Sequence, residues 1–262
     1  MTPLIVLAQW AKKMRDPLGL DLKIRPKGRS LADEYYHKGQ TWIEGRYNSD
    51  YVIEVTNHSW QRMCVILSVD GLCVCDGKPA SFDSDGFVVD PGNTITVPGW
   101  LVNSQQAAKF VFGTKNSSYA SEMGQNTDNV GVIGAAWFDE EVTYHAQPFV
   151  GTAPLFGGSS ATIAAMPKGI VGQSLASNSI VASGSMGTGF GDSTEFKTTQ
   201  VSFRKRSKQP LLVQSIFYDS ADALQRMGIR LRERHPAPTR VAFPGSEPSY
   251  CKPPPSWVQK AR

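Results

Sequence analysis

Metal-binding motifs are scarce in this sequence of 262 residues, which holds four cysteines and four histidines. Zinc sites need paired Cys-x-x-Cys or Cys/His clusters, and neither residue type occurs here at that spacing. Cys73 and Cys75 lie two residues apart in an apolar run, so they offer at most half of a metal site. Packing as small core residues beside Cys64 is the favoured interpretation, and few free thiols suit a reducing compartment.

Long apolar runs are also missing. No stretch approaches the roughly 20 apolar residues that a membrane-spanning helix needs. The apolar run at residues 4–8 is shorter than the core of a signal peptide, and the basic residues Lys12, Lys13 and Arg15 follow it instead of preceding it. We therefore expect no membrane partner and synthesis in the cytoplasm of the cell that makes the protein.

Motifs of the common enzyme classes do not occur. The sequence has no Gly-x-Ser-x-Gly and no His-Glu-x-x-His, and the glycine run at 184–191 lacks the Gly-Lys-Ser/Thr of a phosphate-binding loop. Asp83 and Asp85 have a spacing that can supply oxygen ligands to Ca²⁺, but no bidentate glutamate follows, and hairpin turns also demand Asp and Gly. We predict a protein without catalytic residues or cofactors, with calcium at this turn as the weaker alternative.

Short strands separated by turns dominate the middle of the chain. Residues 51–56 alternate between more and less apolar side chains, as in a strand with one buried face. Asp70-Gly71 between two apolar runs is a strong hairpin signal, because both residue types tolerate positive φ. About seven such strands, with turns every 8–15 residues and no long helix between them, predict a mainly β protein with an antiparallel β-sandwich or jelly roll.

Composition divides the chain into four predicted segments. Residues 1–50 would be an N-terminal arm that begins with a short helix, and residues 51–150 the β domain. Residues 151–193, rich in Gly, Ala, Ser and Thr, would be a linker or an arm that orders against another subunit. Residues 194–262 would hold a small β-hairpin, a short helix capped by Ser220 and a proline-rich tail.

The net charge is +4, but charge is unevenly distributed. Residues 51–150 hold 4 basic and 11 acidic side chains, whereas residues 194–262 hold 13 basic and 5 acidic ones. This asymmetry favours contact between copies or with an acidic partner, although two solvated faces would explain it as well. Association with nucleic acid through the basic C-terminal third is the alternative. The candidate contact residues are Arg204, Arg206, Arg230 and Arg232.

Aromatic residues supply two further sets of candidates. Trp42 and Tyr47 in the predicted arm and Trp257 in the proline-rich tail are candidate interface residues, because exposed aromatic surface marks docking elements. Packing within their own domain is the competing interpretation. Trp60, Trp100 and Trp137 could instead be stacking platforms for a carbohydrate, and core packing is favoured over that role.

Several strings of the β region resemble a domain found in uncharacterised proteins of phages, prophages and bacteria. They are YVIEVTN, SVDGL, GFVVDPGNTITVPGW, AAKFVFG, SSYAS and NVGVIGAAWF within residues 51–138, with FYDSADALQRMGI near the C-terminus. The resemblance implies a β-rich bacteriophage virion protein that forms capsid decoration, a collar or part of a tail. We therefore expect a homo-oligomer that contacts other virion structural proteins in the virion. A receptor- or carbohydrate-binding β-sandwich is the alternative.

Overall fold

The computed structural model describes residues 18–141 and 184–232. Of these, the described residues up to Leu231 belong to one compact unit, and Arg232 belongs to a second. Within the described ranges the chain is mainly β. Its strands are β1 (Leu20–Pro26), β2 (Glu34–His37), β3 (Gln40–Gly45), β4 (Asp50–Asn57), β5 (Met63–Val69), β6 (Leu72–Cys73), β7 (Phe87–Val89), β8 (Thr94–Val97), β9 (Gly99–Leu101), β10 (Gln106–Thr114), β11 (Val132–Asp139), β12 (Met186–Glu195) and β13 (Leu212–Ser220).

The strands form two mostly antiparallel sheets, an arrangement consistent with a β-sandwich. The first sheet has the order β1-β4-β10-β12, with β8 paired to β4 and β9 paired to β10. The second sheet has the order β2-β3-β13-β11-β5-β6, with β7 paired to β5. Strands β3 and β13 run parallel, and the other strand pairs of the described residues are antiparallel.

Side chains from both sheets share one apolar core. Along β4 the burial alternates strictly, so that every second side chain is buried and its neighbours are half-buried. This alternation follows from the two-residue period of a strand with one face on the core. The six largest core side chains come from five different strands, and they are Tyr51, Trp100, Phe110, Phe112, Trp137 and Tyr218.

Helices are short and lie at strand ends. A 3-10 helix (Lys115–Ser117) precedes α1 (Tyr119–Glu122), and α2 (Ala221–Arg226) follows β13. As predicted, Ser220 caps α2 by accepting a hydrogen bond from the Ala223 N–H, and Gly228 after the helix has φ +86°. None of the described helices has the length and apolar composition needed to cross a bilayer.

The predicted segment boundaries do not separate structural units. Strand β1 of the predicted arm pairs with β4, and β12 spans the predicted boundary at residue 193 and pairs with β10. The predicted C-terminal hairpin is wrong, because residues 201–204 form no strand and β13 lies between β3 and β11. These pairings bury apolar residues such as Ile216 in a shared core, which local composition could not reveal. The predicted N-terminal helix and most of segment 151–193 lie outside the described residues.

Candidate interaction surface

A buried polar cluster joins the two sheets around Asp70. Asp70 lies in the predicted turn between β5 and β6 with φ +54°, and it is fully buried. Its Oδ1 accepts hydrogen bonds from the Gly131 N–H (2.9 Å) and the Tyr218 hydroxyl (2.5 Å). Its Oδ2 accepts one from the Thr188 N–H (2.7 Å) on edge strand β12. The carboxyl group therefore connects the second sheet to the edge of the first.

A chain of hydroxyl groups extends this cluster. Thr188 Oγ1 lies 2.7 Å from Tyr218 Oη and 2.8 Å from Tyr51 Oη. When Asp70 is ionised it only accepts hydrogen bonds, so the proton of Tyr218 points to Asp70, that of Thr188 to Tyr218, and that of Tyr51 to Thr188. Three hydroxyl protons then fill three hydrogen bonds, and the ionised cluster is fully satisfied.

Burial and hydrogen bonding act in opposite directions on the Asp70 carboxyl group. Removal from water raises its pKa to about 6, although its hydrogen bonds favour the charged form. Burial, and then the charge of Asp70, raise the pKa of Tyr218 and of Tyr51 well above the usual value. All four side chains of the cluster are at most 1% exposed, so the cluster holds the sheets together and offers no surface to a substrate.

A second ordered polar group presents an exposed tryptophan. Asn57, fully buried at the end of β4, donates hydrogen bonds from Nδ2 to the carbonyl oxygens of Gln61 (2.7 Å) and Val89 (2.9 Å). Its Oδ1 accepts from the backbone N–H of Ser59 (2.9 Å). The turn between β4 and β5 is thereby fixed from both sides. Trp60 lies on this turn with 83% of its surface exposed.

His58 and Arg62, which lie two residues before and two residues after Trp60 in the sequence, each have a carboxylate partner. Arg62 forms ion pairs with Asp90 (Nε–Oδ1, 3.3 Å) and Glu140 (Nη1–Oε1, 2.8 Å). His58 Nε2 lies 3.4 Å from Asp21 Oδ2. An exposed aromatic side chain within a polar rim is typical of the anchor residues of protein interfaces. We name residues 57–62 the Trp60 turn.

The predicted aromatic interface residues differ in their exposure to solvent. Trp42 is buried at 5% exposure against Phe217, with ring centroids 5.2 Å apart, so the prediction of an exposed interface residue is corrected. Its Nε1 has no hydrogen-bond partner among residues 18–141 and 184–232. Tyr47 is 48% exposed, which leaves it available for contact, and Trp257 lies outside the described residues.

Trp100 and Trp137 are core residues, which corrects their prediction as stacking platforms. Trp100 is 2% exposed, and its Nε1 donates to the Gly189 carbonyl oxygen at 3.3 Å. Trp137 is fully buried, and its Nε1 donates to Gln214 Oε1 at 2.9 Å. Of the three stacking candidates, Trp60 alone has an exposed ring.

Two of the basic candidates pair with the acidic region of their own chain. Arg204 Nε lies 2.6 Å from Glu141 Oε2, and Arg206 Nε lies 3.0 Å from Asp139 Oδ2. The charge asymmetry seen in the sequence is thus partly neutralised within one subunit. Arg230 and Arg232 are exposed.

The candidate calcium ligands Asp83 and Asp85 are not part of a larger group of metal ligands in the described residues. Asp83 and Asp85 are exposed, and the described residues contain no group of three or more His, Cys, Asp or Glu side chains that could hold a metal ion. Cys64 and Cys73 are buried and Cys75 is half-buried, as expected for core residues, and all three are free thiols. Burial raises the pKa of Cys64 to about 11, which keeps that thiol protonated at neutral pH.

Sequence reasoning missed both ordered polar groups. Asp70 and Asn57 were recognised only as turn residues, and their burial depends on strands that are distant in sequence. The local signal was the Asp70-Gly71 pair, which indicated a turn, and both residues have positive φ in the structure. Comparisons with models of known protein families, with curated proteins and with solved structures found no match to this chain.

Proposed function

We propose that this protein is a structural component of a bacteriophage virion that acts by protein–protein assembly and not by catalysis. The observation that carries the proposal is the fixed presentation of Trp60, 83% exposed on a turn held by the buried Asn57. A tryptophan has only two side-chain torsions to fix, so it loses little side-chain entropy on binding, and Trp and Arg are among the residues enriched at the energetic centres of interfaces.

The motifs that resemble phage proteins coincide with the scaffold. SVDGL supplies Asp70, NVGVIGAAWF contains Gly131, and FYDSADALQRMGI contains Tyr218, so these strings contribute three members of the cluster that joins the sheets. Because these residues hold the two sheets together, the resemblance concerns the fold. A shared fold supports the proposal that the chain is a β-rich subunit of a larger particle. A jelly-roll connection of the strands would be the finer form of this fold.

The alternatives receive less support from the same geometry. Carbohydrate stacking would rest on Trp60 alone, because Trp100 and Trp137 are buried. Nucleic-acid binding would have to compete with the ion pairs that Arg204 and Arg206 form with Glu141 and Asp139. Protein–protein contact needs neither a platform of several aromatic rings nor unpaired arginines.

Two measurements test the proposal. Mass spectrometry of purified particles, induced from the cell that encodes the chain, should detect the protein in many copies per particle. Particles assembled with Trp60→Ala should contain fewer copies, whereas Phe82→Ala, which also truncates an exposed aromatic side chain, serves as the matched control. Absence of the wild-type protein from purified particles would overturn the proposal.

A further inference from the structure

Two of the free thiols lie in one turn at the end of β6. Cys73 is buried and Cys75 is half-buried, with Val74 between them. The Gly77 N–H donates to the Cys73 carbonyl oxygen at 2.8 Å, so the chain closes a turn around Cys75. Two residues span at most about 7 Å in an extended chain, and a closed turn is shorter. The Cα atoms of the two cysteines therefore come within the roughly 4.4–6.8 Å that a disulfide bridges.

The backbone between the two cysteines is held from both sides. The Val74 N–H donates to the Leu67 carbonyl oxygen on β5 at 3.0 Å, and the Val74 carbonyl oxygen accepts from the Leu101 N–H on β9 at 3.0 Å. The side chain of Val74 is buried in the core that the two sheets share. Because both polar groups of this residue are paired, it cannot rotate without breaking a hydrogen bond. The fold therefore sets the positions of the neighbouring thiols.

The two thiols share one neighbourhood. Cys73 Sγ lies 3.7 Å from the carbonyl oxygen of Asp85. A hydrogen bond with the Cys75 thiol lowers the pKa of Cys73, and the same bond, burial and the charges of Cys73 and Asp85 raise the pKa of Cys75. One proton of the pair is thus released more readily than from an isolated thiol, and the other is retained. Such a pair supplies both the thiolate that attacks a disulfide and the second thiol that resolves the product.

We propose that Cys73 and Cys75 are a redox-active dithiol, which reduces a low-molecular-weight disulfide such as oxidised glutathione and closes an internal disulfide. Cys75 is the more exposed sulfur, so its thiolate attacks one sulfur of the small disulfide and releases the other half as a thiolate. Cys73 then attacks the Cys75 sulfur, and the second half leaves. Each departing thiolate takes up the proton that a cysteine has lost. Two electrons pass to the small disulfide, which becomes two thiols.

The third described thiol lacks these features. Cys64 packs in a separate apolar cluster with Ile66, Ala136 and Phe138, and burial raises its pKa to about 11. It therefore stays protonated and unreactive at neutral pH. The dithiol needs only the turn after β6, so it does not depend on the proposed role in a virion.

Intact-mass spectrometry of the full chain tests the dithiol. The parent is Cys251→Ser, which leaves the thiols of Cys64, Cys73 and Cys75. After incubation with excess oxidised glutathione, the parent should lose two hydrogens per chain and retain no glutathione. With Cys73→Ala added, the reaction should stop with one glutathione bound at Cys75. With Cys75→Ala added, glutathione should bind at least about tenfold more slowly than the parent is oxidised, because Cys73 is buried.

Cys64→Ala in the same parent is the matched control, since it also removes a buried thiol and should still lose two hydrogens. An unchanged melting temperature checks that each variant folds, and the parent and Cys64→Ala decide the proposal even where Cys73→Ala does not fold. A stable glutathione adduct on the parent, or no reaction of the parent, would overturn the proposal. Failure of Cys64→Ala to lose the hydrogens would assign the disulfide to Cys64, and a product of twice the mass would assign it to two chains. Either result would overturn the pairing of Cys73 with Cys75.

Discussion

The Asp70 carboxyl group accepts a hydrogen bond from the backbone N–H of Thr188 at 2.7 Å, and this contact joins a turn of one sheet to the edge strand of the other. Thr188 pairs with Phe112 in the β12–β10 ladder at a position where its N–H points away from β10. An unpaired edge N–H buried at this place would cost free energy. Asp70 satisfies that donor and ties the two sheets together through one side chain.

The pH dependence of stability should report on Asp70. Because its pKa is raised to about 6 in the folded protein, against 3.8 in the unfolded chain, the folded state binds the proton more tightly. Its contribution to stability is therefore fully present below pH 4 and is lost as the pH rises through 6, by roughly 3 kcal/mol at most. Urea unfolding between pH 4 and 8 measures it.

Asp70→Asn is the control for this titration, because asparagine tolerates positive φ and carries no titrating group. The difference in unfolding free energy between wild type and variant should change across the interval from pH 4 to pH 7, whereas ion pairs on the surface contribute equally to both. A difference that stays constant over this range would contradict the raised pKa.

Removing the Tyr218 hydroxyl should destabilise the cluster. Tyr218→Phe takes a donor from Asp70 and a partner from Thr188, both buried, and we expect a loss of about 1–3 kcal/mol in the free energy of unfolding. The pKa of Asp70 should rise further, since the lost hydrogen bond favours the charged form. Tyr51→Phe, which removes only the far end of the hydroxyl chain, should cost less and is the comparison. Equal losses in both variants would refute the proposed order of the chain.

Truncation of the tryptophans should separate core from surface. Trp137→Ala removes a fully buried side chain and should lower the free energy of unfolding by about 3–5 kcal/mol. Trp60→Ala removes an exposed one and should change it by less than about 0.5 kcal/mol. Chemical denaturation of both variants checks this, and a large loss in Trp60→Ala would show that the ring is buried in the free subunit.

Gly99 should tolerate no side chain. A Cβ at this position would lie 1.8 Å from the Ala108 carbonyl oxygen, so Gly99→Ala should push β9 away from β10 and cost about 3 kcal/mol or more. Gly92→Ala is the control, because nothing lies within 4 Å of its Cβ and only its φ of +73° adds strain, worth about 1–2 kcal/mol. Thermal unfolding of the two variants distinguishes the clash from the strain, and similar losses would contradict the close approach.

The local sequence pattern was sufficient to predict individual strands and turns. The alternation at residues 51–56 predicted β4, and Asp70-Gly71 predicted the β5–β6 turn, because strand period and positive φ are properties of neighbouring residues. The cap at Ser220 was predicted for the same reason. The strand predicted near Val201 is wrong, because residues 201–204 form no strand and only an isolated bridge joins Lys205 to Glu140.

The sequence by itself determined that this protein is mainly β, where many of its strands and turns lie, and that its charge is uneven. Only the tertiary structure decided which aromatic rings are exposed, which arginines are paired, and that Asp70 meets Thr188 across 118 residues of chain. Burial and pairing depend on strands that are far apart in sequence. No local period or turn signal records which of them become neighbours.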